Sequence, residues 1–486
     1  MTVSELRLPP VRPDAPASAE ALRQSVRDAR VTVVGGARSG LAAARLLARR
    51  GADVFLTDAA RAEPGVAEAL AKDGVASEFG GHSARALDAD WLVLSPGVPS
   101  TAPLVQSAMR QKRPVYAEIE VASWFCPGPI VAVTGSNGKT TTTTLIGHVF
   151  ETAGRPHVVA GNIGFPLSDY VDDLDAETAA VLEVSSFQLD HVVTFRPRVS
   201  VLLNITPDHL DRYDGDFGRY AAAKFRIFEN QEPGDWLVYN HDDALVRDRV
   251  VDWTAERGLV PLGVSTEREV PAGAFVRDGR LVLALPDRPV PGSPTTEQAL
   301  MTTSDLALTG RHNLYNSLAS AIVARAMEIR SDVVRESLTS FEGVPHRLET
   351  VRTVGGVRYV NDSKATNVNA VWYALESFPA TDGPDVVLIA GGRDKGNDYE
   401  PLRRLAEDKL KGIVAIGEGA QAIEDDLGTH VPRVVRADSM EEAIQYAGLM
   451  AEPGDTVLLS PACSSFDMFE NYEDRGDTFK RLVRAL

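Results

Sequence analysis

The chain has 486 residues, of which 44% are hydrophobic and 24% charged, and its formal net charge is −18 at pH 7. At ~150 residues per domain, this length predicts three domains. The acidic charge argues against a general binder of nucleic acid or anionic membranes, so an anionic substrate must be met by local basic groups, backbone N–H groups or metal ions.

The cysteine count and hydropathy favour a cytoplasmic protein. Cys126 and Cys463 are far apart and form neither a disulfide framework nor a metal-ligand spacing. No apolar run approaches the ~20 residues needed to span a bilayer. We expect small-molecule substrates, no nucleic-acid partner, no membrane insertion and a monomer.

Residues 1–28 are rich in Pro and polar residues and lack the apolar core of a secretory signal, so we expect a flexible N-terminal arm. Beyond it, short β-branched runs alternate with Gly-containing turns and helical patterns, which is typical of parallel sheets with crossover helices. Breakers near 117–129 and 343–345 predict an α/β chain with domains at 29–117, 118–343 and 344–486. The predicted strands are 31–34, 54–56, 91–94, near 115, 130–133, 180–184, 199–204, 236–239, a hairpin at 276–282, 357–360, 386–389, 413–416 and 457–459.

A glycine-rich loop between a buried strand and a Thr-rich helix is the most informative motif. It consists of Gly135, Ser136, Asn137 and Gly138, followed by Lys139, Thr140 and Thr141. Such glycines let backbone N–H groups surround a phosphate, while the lysine supplies charge and the first threonine can ligate Mg²⁺. The glycine expected five residues before Gly138 is Val133, so the loop is a variant. The alternative is a glycine-rich turn with a surface lysine.

Further polar groups follow the next two predicted strands. Glu183 ends a strand that we expect to be central, where a carboxylate can ligate Mg²⁺. Taken alone it could equally cap a helix or pair with a cation. Asp208 and His209 follow the next strand, where the alternative is a polar loop. The helix after them contains Lys224, whose spacing alone favours an ordinary surface lysine.

A helix predicted over 314–329 begins at a polar segment. Asn313 and Asn316 are three residues apart on one face, which suits the grip of a base or ribose. Simple capping of the helix is the alternative.

Together these stretches resemble the Mur ligase family of peptidoglycan synthesis. The similarity covers nearly the whole chain from about Val31, and each motif is less specific than the ordered set. The motifs are Thr134-Gly-Ser-Asn-Gly-Lys-Thr140, Glu183-Val-Ser-Ser186, Thr206-Pro-Asp-His209, Lys224, His312-Asn313-Asn316, Pro345-His-Arg-Leu-Glu349 and Asn361-Asp-Ser-Lys-Ala-Thr-Asn367. Within the family, the N-terminal block, the run 361–367 and the tail 460–476 are similar to those of members that add D-glutamate.

The resemblance implies the fold and the chemistry. It implies a Rossmann-like N-terminal domain for a UDP-linked substrate, a central P-loop ATPase-type domain with a mostly parallel sheet, and a Rossmann-like C-terminal domain for the amino acid. It implies an amide ligase that uses ATP and two Mg²⁺ ions to join D-glutamate to UDP-N-acetylmuramoyl-L-alanine through an acyl phosphate. The implied catalytic residues are Lys139, Glu183, His209 and Lys224, and the implied metal ligands are Thr140, Glu183, His209 and a carbamylated Lys224.

The resemblance also implies binding residues. Besides the loop 135–141, those for ATP are Asn313, Asn316, Arg347 and Asp362. Those for the UDP-linked substrate are Arg38, Ser39, Gly40, Asp58, Ser95, Pro96, Gly97, Asn162 and Gln188. Those for D-glutamate are Lys364, Thr366, Lys395, Ser465, Phe466 and Tyr472, and lysines and hydroxyls suit a substrate with two carboxylates.

Two positions depart from expectation. Ala37 replaces the second glycine of a G-x-G-x-x-G turn, which weakens a dinucleotide interpretation but is compatible with a uridine diphosphate. Phe466 is larger than the aliphatic residue expected there, which affects the expected shape of the glutamate pocket.

Three alternatives remain open. One is another Mur ligase that adds a different amino acid. Another is an amide ligase resembling folylpolyglutamate synthase, which would lack the N-terminal uridine-nucleotide domain. From a different class, the chain could be a non-catalytic nucleotide-binding scaffold, against which the set of Glu183, His209 and Lys224 argues.

Overall fold

The structure is a computed structural model that describes residues 18–308, 310–378, 383–394 and 396–486. Three α/β sheets of five, nine and six strands follow one another along the chain. Parallel pairing dominates all three, so the predicted three-domain α/β architecture is confirmed. Within the described ranges, no helix is both long and apolar enough to cross a membrane.

The first sheet is entirely parallel. Its strands are β1 (Arg30–Val34), β2 (Asp53–Asp58), β3 (Ala76–Phe79), β4 (Trp91–Leu94) and β5 (Val115–Ala117). They lie in the order β3-β2-β1-β4-β5. The accompanying helices are α1 (Ala19–Ser25), α2 (Arg38–Arg49), α3 (Val66–Lys72) and α4 (Pro103–Arg110). Successive residues Val33 and Val34 of the central strand enter two different apolar clusters, as expected for a parallel sheet with a core on each face.

The structure can be compared with the predicted flexible arm over 1–28 only from Ser18 onward. Residues 1–17 lie outside the described residues. Residues from Ser18 onward do not form a loose arm, because the Ser18 side chain caps α1 by accepting from the Ala21 N–H at 3.1 Å. Leu22 and Val26 are buried in the core of the first sheet, which stabilises this short helix.

The segment joining the first two sheets is a buried helix, α5 (Glu118–Ser123), whereas the sequence indicated only a breaker near 117–129. Two carboxylates fix it. The Glu120 side chain accepts from the consecutive backbone N–H groups of Val193, Thr194 and Phe195 at 2.8–3.0 Å. The Glu118 carboxyl accepts from the N–H and the hydroxyl of Ser168 at 2.9 and 2.6 Å.

The second sheet is parallel at its centre and antiparallel at one edge. Its strands are β6 (Ile130–Thr134), β7 (His157–Gly161), β8 (Ala179–Glu183), β9 (Val199–Leu202), β10 (Trp236–Asn240), β11 (Pro261–Ser265), β12 (Gly273–Arg277), β13 (Arg280–Pro286) and β14 (Thr295–Thr302). Their order is β14-β13-β12-β11-β10-β9-β6-β8-β7, and only the β12–β13 and β13–β14 pairs are antiparallel. The helices are α6 (Lys139–Thr152), α7 (Ser186–Leu189), α8 (Phe217–Phe225), α9 (Ala244–Arg257), α10 (Arg311–Ala326) and α11 (Ser331–Ser340).

The third sheet has a hairpin at one edge and parallel strands elsewhere. Its strands are β15 (Glu349–Val354), β16 (Val357–Asn361), β17 (Val386–Gly391), β18 (Leu410–Ile416), β19 (Val434–Ala437) and β20 (Thr456–Leu459). They lie in the order β15-β16-β20-β17-β18-β19. The helices are α12 (Val368–Glu376), α13 (Arg403–Lys409), α14 (Ala420–Leu427), α15 (Met440–Met450) and α16 (Tyr472–Ala485).

The contacts divide the described chain into two compact units. The first unit holds the residues through Leu306 together with Tyr315–Phe341, and therefore contains the first two sheets. The second unit holds residues of Ala307–Leu314 and Glu342–Leu486, and contains the third sheet. The predicted boundaries at 117/118 and 343/344 stay predictions.

Candidate active site

The phosphate loop joins β6 to α6 at the carboxyl edge of the second sheet. Gly138 has φ +85°, a backbone conformation that favours glycine, and an added Cβ would lie 2.6 Å from the Asn316 side-chain oxygen. The first N–H groups of an α-helix such as α6 have no acceptor within the helix, and a helix N-terminus of this kind is a common binding site for anions. Asn316 also accepts from the Thr142 hydroxyl at 3.1 Å, which joins α10 to α6 directly after the loop.

Neighbouring side chains fix the shape of the loop. The Asn204 side chain, just after β9, accepts from the Asn137 N–H at 2.8 Å and donates to its carbonyl oxygen at 3.0 Å. The Ser136 hydroxyl hydrogen-bonds with the Tyr220 hydroxyl at 2.8 Å. The Lys139 ammonium donates to the carbonyl oxygens of Gly135 and Ser136 at 2.9 and 2.8 Å. The loop is therefore a preformed cradle with a positive charge above its backbone.

Glu183 ends β8, which lies directly beside β6, and its side chain is buried. One carboxylate oxygen accepts from the Thr140 hydroxyl at 2.7 Å, and the other accepts from the Asn162 amide at 2.8 Å. The adjacent hydroxyl and carboxylate are the hard oxygen ligands that Mg²⁺ prefers, so these residues fit the ion. Among the described residues, no group of three His, Cys, Asp or Glu side chains is placed to hold a metal ion. Mg²⁺ usually takes only one or two protein carboxylates and fills its other positions with water and substrate phosphates.

Lys224 on α8 is buried, with 1% of its surface exposed. Its Nζ donates to the carbonyl oxygen of Gly135 at 2.8 Å, so the side chain contacts the phosphate loop directly. The pKa of Lys224 lies well below its usual value of 10.5, because burial penalises the charged amine and Lys139 is nearby. The interpretation of Lys224 as an ordinary surface lysine, which its spacing favoured, is therefore wrong.

The predicted polar loop after β9 contains Asp208 and His209. His209 has φ +50°, and its Nε2 lies 3.7 Å from a carboxylate oxygen of Asp208. The His209 side chain is 42% exposed, and its ring meets the Phe187 ring edge-on at 5.3 Å. An imidazole held in this way remains accessible to a metal ion or substrate at the same sheet edge as Glu183.

In the first sheet, the turns after β1, β2 and β4 meet at one edge. An added Cβ at Gly35 would lie 2.8 Å from Ser95, and one at Gly40 would lie 1.8 Å from the Gly35 carbonyl oxygen. Asp58 accepts from the Gly36 N–H, and the Ser95 N–H donates to Val34 at 3.0 Å. These contacts bring together the first turn of α2, the end of β2 and the turn after β4, which carry the predicted substrate residues Ser39, Gly40, Asp58, Ser95, Pro96 and Gly97.

Three further predicted substrate residues lie near the joint between the first two sheets. The Arg38 guanidinium donates to the Gly164 carbonyl oxygen at 3.2 Å, in the loop that also carries Asn162. Gln188 on α7 is buried, and its side-chain nitrogen has no hydrogen-bond partner within the described part of the chain. A buried amide donor without a partner is costly, so it is available to a ligand oxygen.

The remaining predicted nucleotide residues, Asn313, Arg347 and Asp362, belong to the second unit, and Asp362 directly follows β16. Asp362 is buried and accepts from the Ser460 hydroxyl at 2.7 Å and from the Leu348 N–H at 3.3 Å. Burial raises the pKa of Asp362 to about 6, against the opposing charge of Arg347. Arg347 has a buried Nε without a partner among the described residues. Asn313 lies in the first turn of α10 and is buried.

The predicted D-glutamate residues also lie in the second unit. The Lys364 ammonium lies 5.1 Å from the centroid of the Tyr472 ring, and the Thr366 N–H donates to the Lys364 carbonyl oxygen at 3.0 Å. Ser465 is buried, whereas Phe466 is 61% exposed. The structure thus brings Lys364, Thr366 and Tyr472 together, while Lys395 lies outside the described residues.

Sequence reasoning missed several groups that shape the site. Asn204 lies within a strand predicted over 199–204, and Tyr220 lies in the predicted helix that contains Lys224, but neither was predicted to contact the phosphate loop. A polar side chain placed directly after a buried strand is the signal that identifies Asn204. Arg212, three residues beyond His209, had no signal other than its position.

Comparisons with known proteins cover most of the chain. Three family models match, and they are described as the Mur ligase MurD-like N-terminal domain over residues 29–117, the Mur ligase middle domain over 133–324 and the Mur ligase glutamate ligase domain over 346–463. A UDP-N-acetylmuramoylalanine–D-glutamate ligase of Salinibacter ruber is 60% identical, with 95% of this chain and 99% of the relative covered. A protein of the same name from Chloroherpeton thalassium is 46% identical, with the same shares covered.

Solved structures show the same fold at low sequence identity. A MurF crystal structure from Acinetobacter baumannii has a TM-score of 0.57 at 16% identity and covers 96% of this chain and 99% of its own. A pseudomurein peptide ligase type C from Methanothermus fervidus has a TM-score of 0.56 at 18% identity, covering 94% and 99%.

Proposed function

Because the chain belongs to the Mur ligase family, we infer that it is an ATP-dependent ligase of peptidoglycan synthesis that adds D-glutamate to UDP-N-acetylmuramoyl-L-alanine. The observation that carries this inference is the 60% identity to a D-glutamate ligase over nearly the full length of both chains. The phosphate loop beside Glu183 supports ATP use independently of that likeness.

The chain's own residues promote the first step by binding the phosphate oxygens of ATP and by orienting the UDP-linked substrate. The carboxylate of the UDP-linked substrate attacks the γ-phosphorus of ATP, which forms an acyl phosphate and releases ADP. The N–H groups of α6 and the Lys139 ammonium bind the phosphate oxygens in the preformed cradle. The buried donor of Gln188 and the Asn162 amide are proposed to orient the muramoyl side of the substrate.

We propose two Mg²⁺ ions, one held by Thr140 and Glu183 and the other by His209 and a carbamylated Lys224. Bound there, the ions would neutralise charge on the phosphate oxygens. The carbamate is supported by the environment of Lys224, because a buried neutral amine can add to CO₂. That addition converts a cation-forming group into a carboxylate-like ligand and releases one proton.

In the second step, the amine of D-glutamate attacks the acyl carbon and phosphate leaves with the former carboxylate oxygen. Lys364 with Thr366, Ser465, Phe466, Tyr472 and Lys395 are proposed to surround the amino acid. Asn313, Asn316, Arg347 and Asp362 are proposed nucleotide ligands. Arg38, Ser39, Gly40, Asp58 and the turn Ser95-Pro-Gly97 are proposed to bind the UDP portion.

We also propose that the enzyme acts in the cytoplasm as a monomer, where ATP and UDP-linked precursors are available. The alternatives are another Mur ligase, a folylpolyglutamate-synthase-like ligase and a non-catalytic scaffold. The matched family model of the N-terminal domain favours a UDP-linked substrate over a folate.

The test is phosphate release from ATP with UDP-N-acetylmuramoyl-L-alanine, comparing D-glutamate with L-glutamate and with other amino acids. We expect phosphate release that depends on D-glutamate. Its rate should fall at least about 100-fold in Lys139→Ala, because the positive charge that stabilises the transferred phosphoryl group is lost. Lys72→Ala, a change at an exposed lysine at the end of α3, is the matched control. Equal release with L-glutamate, or full activity in Lys139→Ala, would contradict the inference.

A further inference from the structure

Arg212 contacts two parts of the proposed site. One is the turn Ser95-Pro-Gly97, which is proposed to bind the UDP-linked substrate, and the other is the loop that carries His209. It lies in a short 3-10 helix, Leu210–Tyr213, which begins directly after that histidine. Its guanidinium donates to the carbonyl oxygens of Pro96 and Gly97, at 3.3 Å in each case. Those carbonyls belong to the turn after β4 of the first sheet, so one side chain of the second sheet's domain reaches the substrate turn.

The same guanidinium is fixed on its other side by an aromatic ring. Its central carbon lies 4.2 Å from the centroid of Phe187, which in turn contacts the His209 ring at 5.3 Å. The Arg212 N–H donates to the His209 carbonyl oxygen at 3.0 Å. Arg212 therefore contacts the histidine loop through its backbone and through a shared ring, and contacts the substrate turn through its fork of donors.

We propose that Arg212 is a positioning residue that couples binding of the UDP-linked substrate to the metal-binding competence of His209. The inference rests on the proposed function, because it uses the assignment of the turn Ser95-Pro-Gly97 to the UDP-linked substrate and of His209 to a metal. Substrate that orders the turn also orders the guanidinium, and the ordered guanidinium holds Phe187 against the His209 ring. By thermodynamic reciprocity, Mg²⁺ bound at His209 must then favour substrate binding by the same factor.

A guanidinium suits this role better than an ammonium. Two adjacent carbonyl oxygens require two donors in a planar fork, and the flat face of the same group can stack on a ring. A lysine at this position could reach one carbonyl as a point charge but would lose the fork and the stacking. This difference makes Arg212→Lys an informative variant that keeps the net charge.

The experiment compares wild type with Arg212→Met and Arg212→Lys by steady-state kinetics at several Mg²⁺ concentrations. We expect Arg212→Met to raise the KM for the UDP-linked substrate about tenfold or more, since two charge-assisted hydrogen bonds are lost. The KM for ATP should stay within about twofold, because the contacts of Arg212 in the described part of the chain are to Pro96, Gly97, Phe187 and His209 and not to the phosphate loop. Arg212→Lys should fall between wild type and Arg212→Met.

The decisive readout is the coupling between ligands. In wild type, saturation with the UDP-linked substrate should lower the half-saturating Mg²⁺ concentration by about fivefold or more, a usual size for coupling between sites. This dependence should disappear in Arg212→Met and shrink in Arg212→Lys. Arg219→Met is the matched control, because Arg219 is an exposed arginine of the same region that pairs with Asp214 at 2.6 Å.

Each outcome separates the inference from the proposed function. If wild type shows no D-glutamate-dependent activity, the proposed function fails first. If wild type is active and Arg212→Met keeps both its KM and its coupling, the positioning role is overturned while the function stands. If Arg212→Met does not fold, the charge-preserving Arg212→Lys decides, and wild-type coupling in that variant overturns the inference.

Discussion

At the scale of single residues, the protonation state of Lys224 determines whether its amine can react to form the proposed carbamate. The amine is buried, donates to the Gly135 carbonyl oxygen and has another lysine, Lys139, on the same oxygen. Two ammonium groups sharing one acceptor repel each other, so the buried one is the more readily neutralised. A neutral amine is nucleophilic, and this chemistry is the physical basis of the proposed carbamate.

We therefore expect the carbamate to be detectable in the native enzyme. With ¹³C-labelled bicarbonate at pH 7, wild type should show a carbamate carbon resonance by NMR, because the pKa of Lys224 lies well below that of an ordinary lysine. The resonance should be absent in Lys224→Arg and retained in the surface variant Lys72→Arg. A wild-type spectrum without the signal, or a signal that persists in Lys224→Arg, would exclude the modification.

The site was predictable from the sequence where its chemistry is local. Gly138, Lys139 and Thr140 are recognised from their spacing, since strand, loop and helix are contiguous in the chain. The state of Lys224 was not predictable from its neighbours, because burial and the contact with Gly135 depend on a residue far away in the sequence. Asn204 was missed for a different reason, because the strand predicted over 199–204 ends at Leu202 in the structure and leaves Asn204 in the loop after it.

At the scale of elements, helix α5 is a buried connector with an unusual carboxyl group. One oxygen of Glu118 accepts two hydrogen bonds from Ser168, whereas the other has no partner within the described ranges. Burial raises the pKa of Glu118 from 4.5 to about 7. The native protein therefore keeps a proton there that the unfolded chain releases at lower pH.

The sign of the resulting pH dependence follows from linkage. Both states are protonated below about pH 4.5, and as the pH rises to about 7 the unfolded state loses its proton first. Glu118 therefore lowers the free energy of unfolding over this range, by about 3 kcal/mol at most. We expect Glu118→Gln to be more stable than wild type at pH 8, with the advantage shrinking or reversing at pH 5.

Urea unfolding of both proteins at the two pH values measures this difference and cancels the effect of other groups. The conservative change Glu68→Gln on the exposed face of α3 serves as control. A stability difference between Glu118→Gln and wild type that is the same at pH 5 and pH 8 would show that the group does not titrate in this range.

The central strands were the elements that sequence patterns predicted well. Buried β-branched runs such as those of β1, β6 and β17 cannot be mistaken for loops, since parallel strands covered on both faces are continuously apolar. Two edge strands, Ala76–Phe79 and Thr295–Thr302, escaped prediction because they carry polar or mixed sequences, whereas the apolar edge strand Val115–Ala117 was predicted. Their strand state depends on pairing with a neighbour, which no local pattern records.

At the scale of the whole molecule, the two compact units have separate cores, and the phosphate loop belongs to the first. A ligand that binds only the folded state stabilises it by mass action, by about 2.7 kcal/mol at a concentration 100 times its Kd. Nucleotide binding should therefore raise the free energy of unfolding measurably, even when no reaction takes place.

We expect Mg²⁺ with a non-hydrolysable ATP analogue to raise the unfolding temperature of wild type by a few degrees in calorimetry. Lys139→Ala should lose most of this rise, whereas Lys72→Ala should keep it. An equal rise in Lys139→Ala would mean that the nucleotide binds elsewhere.

The three backbone hydrogen bonds that the Glu120 carboxylate accepts limit where the chain can be truncated to produce separate domains. A chain truncated just after α5 would keep the buried Glu120 carboxylate without its three donors. A chain that begins just after α5 would leave the N–H groups of Val193, Thr194 and Phe195 without this acceptor. The parts of the chain that form the first and second sheets should therefore be expressed together, and fusion junctions should be placed away from α5.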